Sequence, residues 1–130
     1  MSNYFRIPGC RSHGGEHAIE VSKSLAEIIK LDLDYVIKRE PTIQSVSLRP
    51  DSIVLLKKSD KYLCFILEIC CAETESYLSM KINTLRGCEN VKEELSELVG
   101  VKVQEFDIVV KGKDMDETCE FNQYLENIRR

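Results

Sequence analysis

The sequence contains no apolar run of the roughly 18–20 residues that a membrane-spanning helix needs. Its first residues, MSNYFRIPGCRSHGG, also lack the apolar stretch of a secretory signal. No internal repeat, low-complexity segment or linker divides the 130 residues. These absences predict a cytoplasmic protein with no membrane partner, folded as a single domain over residues 1–130.

An excess of basic residues is also missing. The chain has 18 lysines and arginines against 22 acidic residues, so its net charge is −4 and its pI is about 5.3. A domain that grips nucleic acid nonspecifically is normally basic, because neutralising phosphates supplies most of that affinity. The charge therefore counts against a general nucleic-acid binder, although a local basic patch or a bound metal could still supply positive charge.

Six cysteines are present, but their positions do not indicate a secreted disulfide framework. Cys64, Cys70 and Cys71 lie in or beside a strongly apolar strand pattern, where a free thiol behaves as a small hydrophobic group. Adjacent Cys70 and Cys71 would point to opposite faces of a strand and cannot easily bridge. A reducing compartment is the better interpretation. Packing also explains this pair better than redox activity, since Cys-x-x-Cys spacing is absent.

Apolar periodicity predicts the order of helices and strands. Apolar residues recur at three- and four-residue steps from about Gly15 to Lys38, which is typical of an amphipathic helix that bends or ends near Asp32 and Asp34. Two continuous apolar runs predict central strands that a polar turn around Asp60 joins into a hairpin. The predicted segments are a helix at 15–38, an extended piece at 43–48, strands at 52–57 and 62–71, helices at 74–87 and 91–99, a strand at 101–111, and a helix at 114–128. This α-β-β-α-(α)-β-α order predicts an α/β (α+β) fold with a mixed sheet flanked by helices.

Glu68 is the most informative residue, because all its neighbours in Phe65-Ile66-Leu67-Glu68-Ile69-Cys70 are apolar. A buried carboxylate is normally paired, protonated or bound to a cation. The hairpin brings Glu68 to the same edge of the sheet as Asp51, and two carboxylates could hold Mg²⁺ or Mn²⁺ there. The alternative is structural: Asp51 caps a turn, and Glu68 pairs with a cation such as Arg49 or Lys81.

These residues resemble the core motif of the PD-(D/E)xK nuclease superfamily, in which an Asp at a first core strand precedes Glu-x-Lys on the next. Pro50-Asp51 and Glu68-Ile69-Cys70 occupy those positions. The resemblance implies a restriction-endonuclease-like fold in which Asp51 and Glu68, helped by Glu16 or Glu20 of the first helix, bind the metal. Cys70 stands in place of the lysine, and a thiol cannot orient an attacking water as an ammonium can. Lys81 on the following helix could substitute, which makes Asp51, Glu68 and Lys81 the candidate catalytic residues.

Residues 14–87 are similar, more narrowly, to the plasmid replication-relaxation family. The stretches that carry this resemblance are Arg49-Pro50-Asp51-Ser52-Ile53-Val54 and Phe65-Ile66-Leu67-Glu68-Ile69. It implies a DNA-binding role in plasmid replication, exerted on DNA or on a DNA-processing protein, and we expect a homodimer. With Cys70 in the motif, the favoured function is an accessory protein of a mobile element with a degenerate site. The alternatives are an active divalent-metal-dependent DNA endonuclease and a noncatalytic regulator that binds a protein.

Three weaker patterns occur near the N-terminus. Cys10, His13 and His17 are spaced closely enough for a zinc cluster, but no fourth ligand is evident. His17 alone could act as a base, although no nucleophile is paired with it. The Gly14-Gly15 pair could cradle an anion at a helix N-terminus, but a flexible turn is the simpler interpretation.

Overall fold

The computed structural model describes residues 15–70, 75–112 and 120–130. Within these ranges the chain forms a four-stranded mixed sheet and four α-helices, which confirms the mixed α/β class. The elements are α1 (Glu16–Ile29), β1 (Asp34–Arg39), a short 3-10 helix (Gln44–Val46), β2 (Ser52–Lys58), β3 (Lys61–Cys70), α2 (Glu75–Gly87), α3 (Asn90–Val99), β4 (Asp107–Gly112) and α4 (Glu120–Arg129). No helix in these ranges is long and apolar enough to cross a membrane.

The sheet has the strand order β1-β2-β3-β4. Neighbouring strands β1, β2 and β3 are antiparallel, whereas β4 runs parallel to β3 after the crossover through α2 and α3. The predicted hairpin is confirmed: Lys58 pairs with Lys61 across a two-residue turn whose first residue, Ser59, has a φ of +55°. The predicted pair of continuous apolar strands therefore forms the centre of the sheet.

Of the helix predicted from about Gly15 to Lys38 with a bend or an end near Asp32 and Asp34, the end is confirmed and the continuation to Lys38 is wrong. α1 ends at Ile29, Asp32 adopts a left-handed φ of +60°, and residues 34–39 form β1 against β2. Val36 and Ile37 fit the helical spacing, but they are half-buried on this edge strand and pack into the cores on opposite faces of the sheet. The described residues consequently contain one strand more than the predicted order.

Three further boundaries differ from the sequence prediction. The extended piece at 43–48 contains the 3-10 helix, flanked by an isolated bridge between Ile43 and Leu48. The strand predicted from Val101 begins only at Asp107, and the irregular residues before it still bury Val103 in the core. The last helix is described from Glu120, and its predicted start at Asp114 lies outside the described residues.

Buried side chains form one core on each face of the sheet. The first core joins the sheet to α1 and α4, and the second joins it to α2 and α3. Helical residues spaced by three or four supply these contacts, as an amphipathic helix requires: Val21, Leu25 and Ile28 from α1, Phe121, Leu125 and Ile128 from α4, and Leu85, Val91, Leu95 and Val99 from α2 and α3. Because side chains alternate along a strand, Glu68 lies on the α2/α3 face with Cys64 and Ile66.

Candidate functional site

Glu68 of β3 forms a buried ion pair with Lys81 of α2. Lys81 Nζ donates a hydrogen bond to Glu68 Oε1 at 2.9 Å, and both side chains are 4% exposed. An isolated charge in this layer would be strongly disfavoured, so each residue makes the burial of the other tolerable. The sequence left Glu68 paired, protonated or bound to a cation, and in the structure it is paired with Lys81.

The ammonium group of Lys81 also lies near an aromatic ring. Its Nζ is 5.7 Å from the centre of the Tyr77 ring, one helical turn earlier in α2. The electron-rich face of an aromatic ring attracts a cation at this range. Lys81 is therefore held by a carboxylate from the sheet and by a ring of its own helix.

Asp51 connects three parts of the fold just before β2 begins. Its Oδ2 accepts a hydrogen bond from the backbone N–H of Ile69 at 2.6 Å, and its Oδ1 lies 3.1 Å from His17 Nε2 of α1. Its backbone carbonyl accepts a hydrogen bond from the N–H of Glu40 at 2.9 Å. The carboxylate thus ties α1 to β3 at the residue that follows Glu68, which brings Asp51 beside the Glu68 region as the hairpin predicts.

Glu20 interacts with cations on the other face of the sheet. Its Oε1 lies 3.9 Å from Lys111 Nζ, and its Oε2 lies 3.9 Å from Lys23 Nζ. Lys111 also donates a hydrogen bond to the buried Ser24 hydroxyl at 3.2 Å, on the face that α1 and α4 cover. The structure therefore does not bring Glu20 to Glu68, which faces α2.

Two residues of the predicted motif are described only by their backbone. Glu16 is the first residue of α1, and Cys70 is the last residue of β3, paired with Gly112 of β4. Their side chains lie outside the described part of the structure. The predicted roles of Glu16 as a metal ligand and of Cys70 in the lysine position stay predictions.

In this arrangement the carboxylates fit an ion pair and a structural link better than a divalent cation. Lys81 supplies the positive charge at Glu68, while Asp51 Oδ2 is committed to a backbone N–H. Among the described residues, no group of three or more histidine, cysteine or acidic side chains is arranged to hold a metal ion. The Mg²⁺ or Mn²⁺ site predicted from Asp51, Glu68, Glu16 and Glu20 stays a prediction.

The weaker N-terminal patterns fall largely outside the described ranges. Cys10, His13 and Gly14 lie there, as does Cys71 of the cysteine pair. His17 is described, and it is a buried side chain that contacts Asp51. Sequence reasoning missed this contact, because nothing in the local pattern relates a histidine on the first helix to an aspartate before the second strand.

Comparison of the chain with protein-family models, curated proteins and solved structures finds no match.

Proposed function

We propose that the chain is a nuclease-like domain of a plasmid or another mobile element, which acts on or near DNA without cutting it. The starting point is the resemblance of Pro50-Asp51 and Glu68-Ile69-Cys70 to the PD-(D/E)xK motif. A mixed sheet flanked by helices supports the restriction-endonuclease-like part of the proposal. The run α1, β2, β3, α2 and β4 follows the expected α-β-β-α-β order, with β1 and α3 added.

The buried Lys81–Glu68 ion pair is the observation that carries the noncatalytic role. A metal ion that binds Glu68 Oε1 would have to displace the ammonium group of Lys81, which lies 2.9 Å from that oxygen. Displacement would leave the ammonium charge of Lys81 buried without its carboxylate, which is strongly unfavourable. The pair therefore favours a carboxylate that stabilises the fold over one that binds a catalytic cation.

An active endonuclease is the second candidate, and a specific contact favours it. Lys81 contacts Glu68, and such a contact is required if α2 supplies the lysine of the motif in place of the strand position that Cys70 occupies. In that case the ion pair is the resting arrangement. Asp51 and Glu68 would hold a divalent cation, which would supply activation of a water molecule, and Lys81 would orient that water. The two candidates differ in whether Glu68 exchanges its ammonium partner for a metal.

Two measurements on one preparation separate these candidates. The first is Mn²⁺ binding by electron paramagnetic resonance, and the second is nicking of supercoiled DNA with Mg²⁺ or Mn²⁺. We expect binding of DNA, no nicking, and the same residual Mn²⁺ binding in Glu68→Gln as in the parent. The matched control is Glu97→Gln, an exposed glutamate of α3.

Nicking that Glu68→Gln abolishes and Glu97→Gln preserves would establish the endonuclease instead. If the protein binds no DNA of any form, the accessory role at DNA is wrong and the protein-binding regulator takes its place. Sedimentation velocity on the same preparation tests the expected homodimer.

A further inference from the structure

An open groove lies at the hairpin end of the sheet, on the same face as Glu68. Its volume is about 400 Å³, and it is lined by Leu55, Lys61, Tyr62, Cys64, Lys102, Val103, Gln104 and Glu105. This size falls within the range of small-molecule sites. Tyr62 and Glu68 are six residues apart on β3, so the groove lies about 20 Å from the carboxylate along the strand. It is therefore separate from the Asp51–Glu68 region.

The groove has an apolar floor and an aromatic wall. Leu55, Cys64 and Val103 are buried, whereas Tyr62 is 52% exposed. Lys57, the cross-strand partner of Tyr62, has its Nζ 5.9 Å from the centre of that ring. An exposed ring at the mouth of an apolar recess can stack against a planar ligand, and the neighbouring ammonium can bind a negative group attached to it.

Three lysines supply ammonium groups in and beside the groove. Lys61 and Lys102 belong to its lining, and Lys57 adjoins Tyr62. Three acids are also near: Glu105 is part of the lining, Asp34 pairs with Lys57 across β1 and β2, and the Asp107 carboxylate acts on the Cys64 thiol of the lining. These acids offset the lysines, so the aromatic ring and not the net charge distinguishes this groove from a general patch for acidic ligands.

We propose that this groove binds single-stranded nucleic acid, with an unpaired base stacked on Tyr62 and the adjoining phosphates held by Lys61 and Lys102. A duplex keeps its bases stacked on one another, so only an unpaired base can reach the ring. The amide of Gln104, exposed in the lining, can donate to and accept from a base edge. This inference rests on the proposed role at DNA and specifies the form of DNA that the domain contacts.

The test is fluorescence anisotropy with a labelled 12-nucleotide single strand of mixed sequence at low salt. We expect Tyr62→Ala to weaken binding about tenfold or more, because it removes one base-stacking contact. Tyr62→Phe retains the ring and should bind within about twofold of the parent, since stacking does not need the hydroxyl. The matched control is Tyr35→Ala, because Tyr35 is 48% exposed but lies on the other face of the sheet.

Charge reversal tests the phosphate contacts. Lys61→Glu and Lys102→Glu should each weaken binding. Each should also reduce the slope of the logarithm of the binding constant against the logarithm of the salt concentration, by about the contribution of one phosphate contact. Lys23→Glu, at an exposed lysine of α1, should change neither. Circular dichroism establishes that each variant is folded.

Several results would overturn the groove proposal. They are equal losses in Tyr62→Ala and Tyr35→Ala, a loss in Tyr62→Phe as large as in Tyr62→Ala, and no binding of the single strand by the parent. Binding of duplex DNA that is equally strong in the parent and in Tyr62→Ala would contradict the proposed use of the groove and leave the proposed role at DNA standing. Metal-dependent nicking that Glu68→Gln abolishes would refute only the noncatalytic role.

Discussion

Lys81 Nζ lies 2.9 Å from Glu68 Oε1 in the layer between the sheet and α2, where both side chains are almost fully buried. The pair joins the middle of α2, six residues after the helix begins, to the central strand β3. Forming the pair costs the desolvation of both charges, so replacing both residues by apolar ones changes the stability little. Removing one partner leaves the other charge buried alone and destabilises the protein strongly. The free energy of unfolding of single and double variants therefore measures the coupling of the pair.

Lys81→Met should destabilise the protein by about 3–5 kcal/mol, because it leaves the Glu68 carboxylate buried without its ammonium partner. The double variant Glu68→Met/Lys81→Met should recover most of that loss, since two apolar side chains of similar size replace the pair. The measurement is the free energy of urea unfolding for the parent, both single variants and the double variant.

The control for this cycle is the exposed pair of Lys30 and Glu27, whose Nζ and Oε2 are 3.2 Å apart. Lys30→Met should change the free energy of unfolding by less than about 1 kcal/mol, because solvent screens an exposed pair. Additive effects of the two single substitutions at Glu68 and Lys81 would contradict a coupled buried pair.

The centre of the sheet could be predicted from sequence because β2 and β3 are covered on both faces. Their continuous apolar runs leave little choice of element, and the polar turn at Ser59 and Asp60 sets the hairpin. Edge strand β1 could not be predicted in the same way. Its half-buried Val36 and Ile37 also fit the helical spacing of α1, and only the nonlocal pairing with β2 decides between the two.

In the candidate site, too, the local sequence predicts some features and only nonlocal contacts decide the others. The apolar neighbours of Glu68 predict that its carboxylate is paired, protonated or bound to a cation, and Lys81 on the next helix is one of the two partners that the sequence offers for a pair. The contact of Asp51 with His17 joins residues 34 positions apart, and no local pattern encodes it. The pairing of Glu20 with Lys111 likewise depends on which face of the sheet α1 covers.

Glu94 of α3 caps the 3-10 helix, and its removal should destabilise the protein in a pH-dependent way. Its two carboxylate oxygens accept hydrogen bonds from the N–H groups of Gln44 at 2.7 Å and Ser45 at 2.9 Å. Burial opposes ionisation, but hydrogen bonds from Ser45 and Gln44 outweigh it and lower the pKa of Glu94 below its ordinary 4.5. The stabilisation is therefore present above pH 4.5 and lost as the pH falls through the lowered pKa.

At pH 7, Glu94→Ala should cost about 1 kcal/mol, a value kept small because solvent screens the carboxylate. The difference from the parent should shrink as the pH falls below 4.5, which urea unfolding at several pH values will show. Glu93→Ala, at the exposed neighbouring position, is the control. A cost that stays constant between pH 7 and pH 3 would mean that the ionised carboxylate is not the stabilising form.

Alkaline pH should destabilise the fold through Cys64. Burial, with a smaller contribution from the Asp107 carboxylate, raises the pKa of the Cys64 thiol from 9.0 to about 12. The folded state then holds this proton more tightly than the unfolded state, so its contribution is full below pH 9 and lost as the pH rises towards 12. The free energy of unfolding should fall by up to about 1.4 kcal/mol per pH unit in that window.

Cys64→Ala should flatten this alkaline slope, whatever it costs at neutral pH through the smaller side chain. Measurements just above pH 9 are the most informative, because the pKa of Tyr124, raised by burial and by its hydrogen bond to Asp107, affects stability only above its ordinary 10.0. Cys88→Ala serves as the control for removing a half-buried thiol. Identical slopes for the parent and Cys64→Ala would exclude Cys64 as the titrating group.

Two glycines should respond to alanine with opposite signs. Gly100 ends α3 with a φ of +84°, whereas Gly87 is the last residue of α2 and has no positive φ. A Cβ added at either position meets no atom within 4 Å, so crowding affects neither substitution. The difference therefore lies in the backbone.

Gly100→Ala should cost about 1 kcal/mol, because an L residue is strained in the left-handed region. Gly87→Ala should stabilise the protein by up to about 0.5 kcal/mol, since alanine loses less conformational freedom on folding. The check is the urea midpoint of each variant; a stabilising Gly100→Ala would mean that α3 does not end in a left-handed turn.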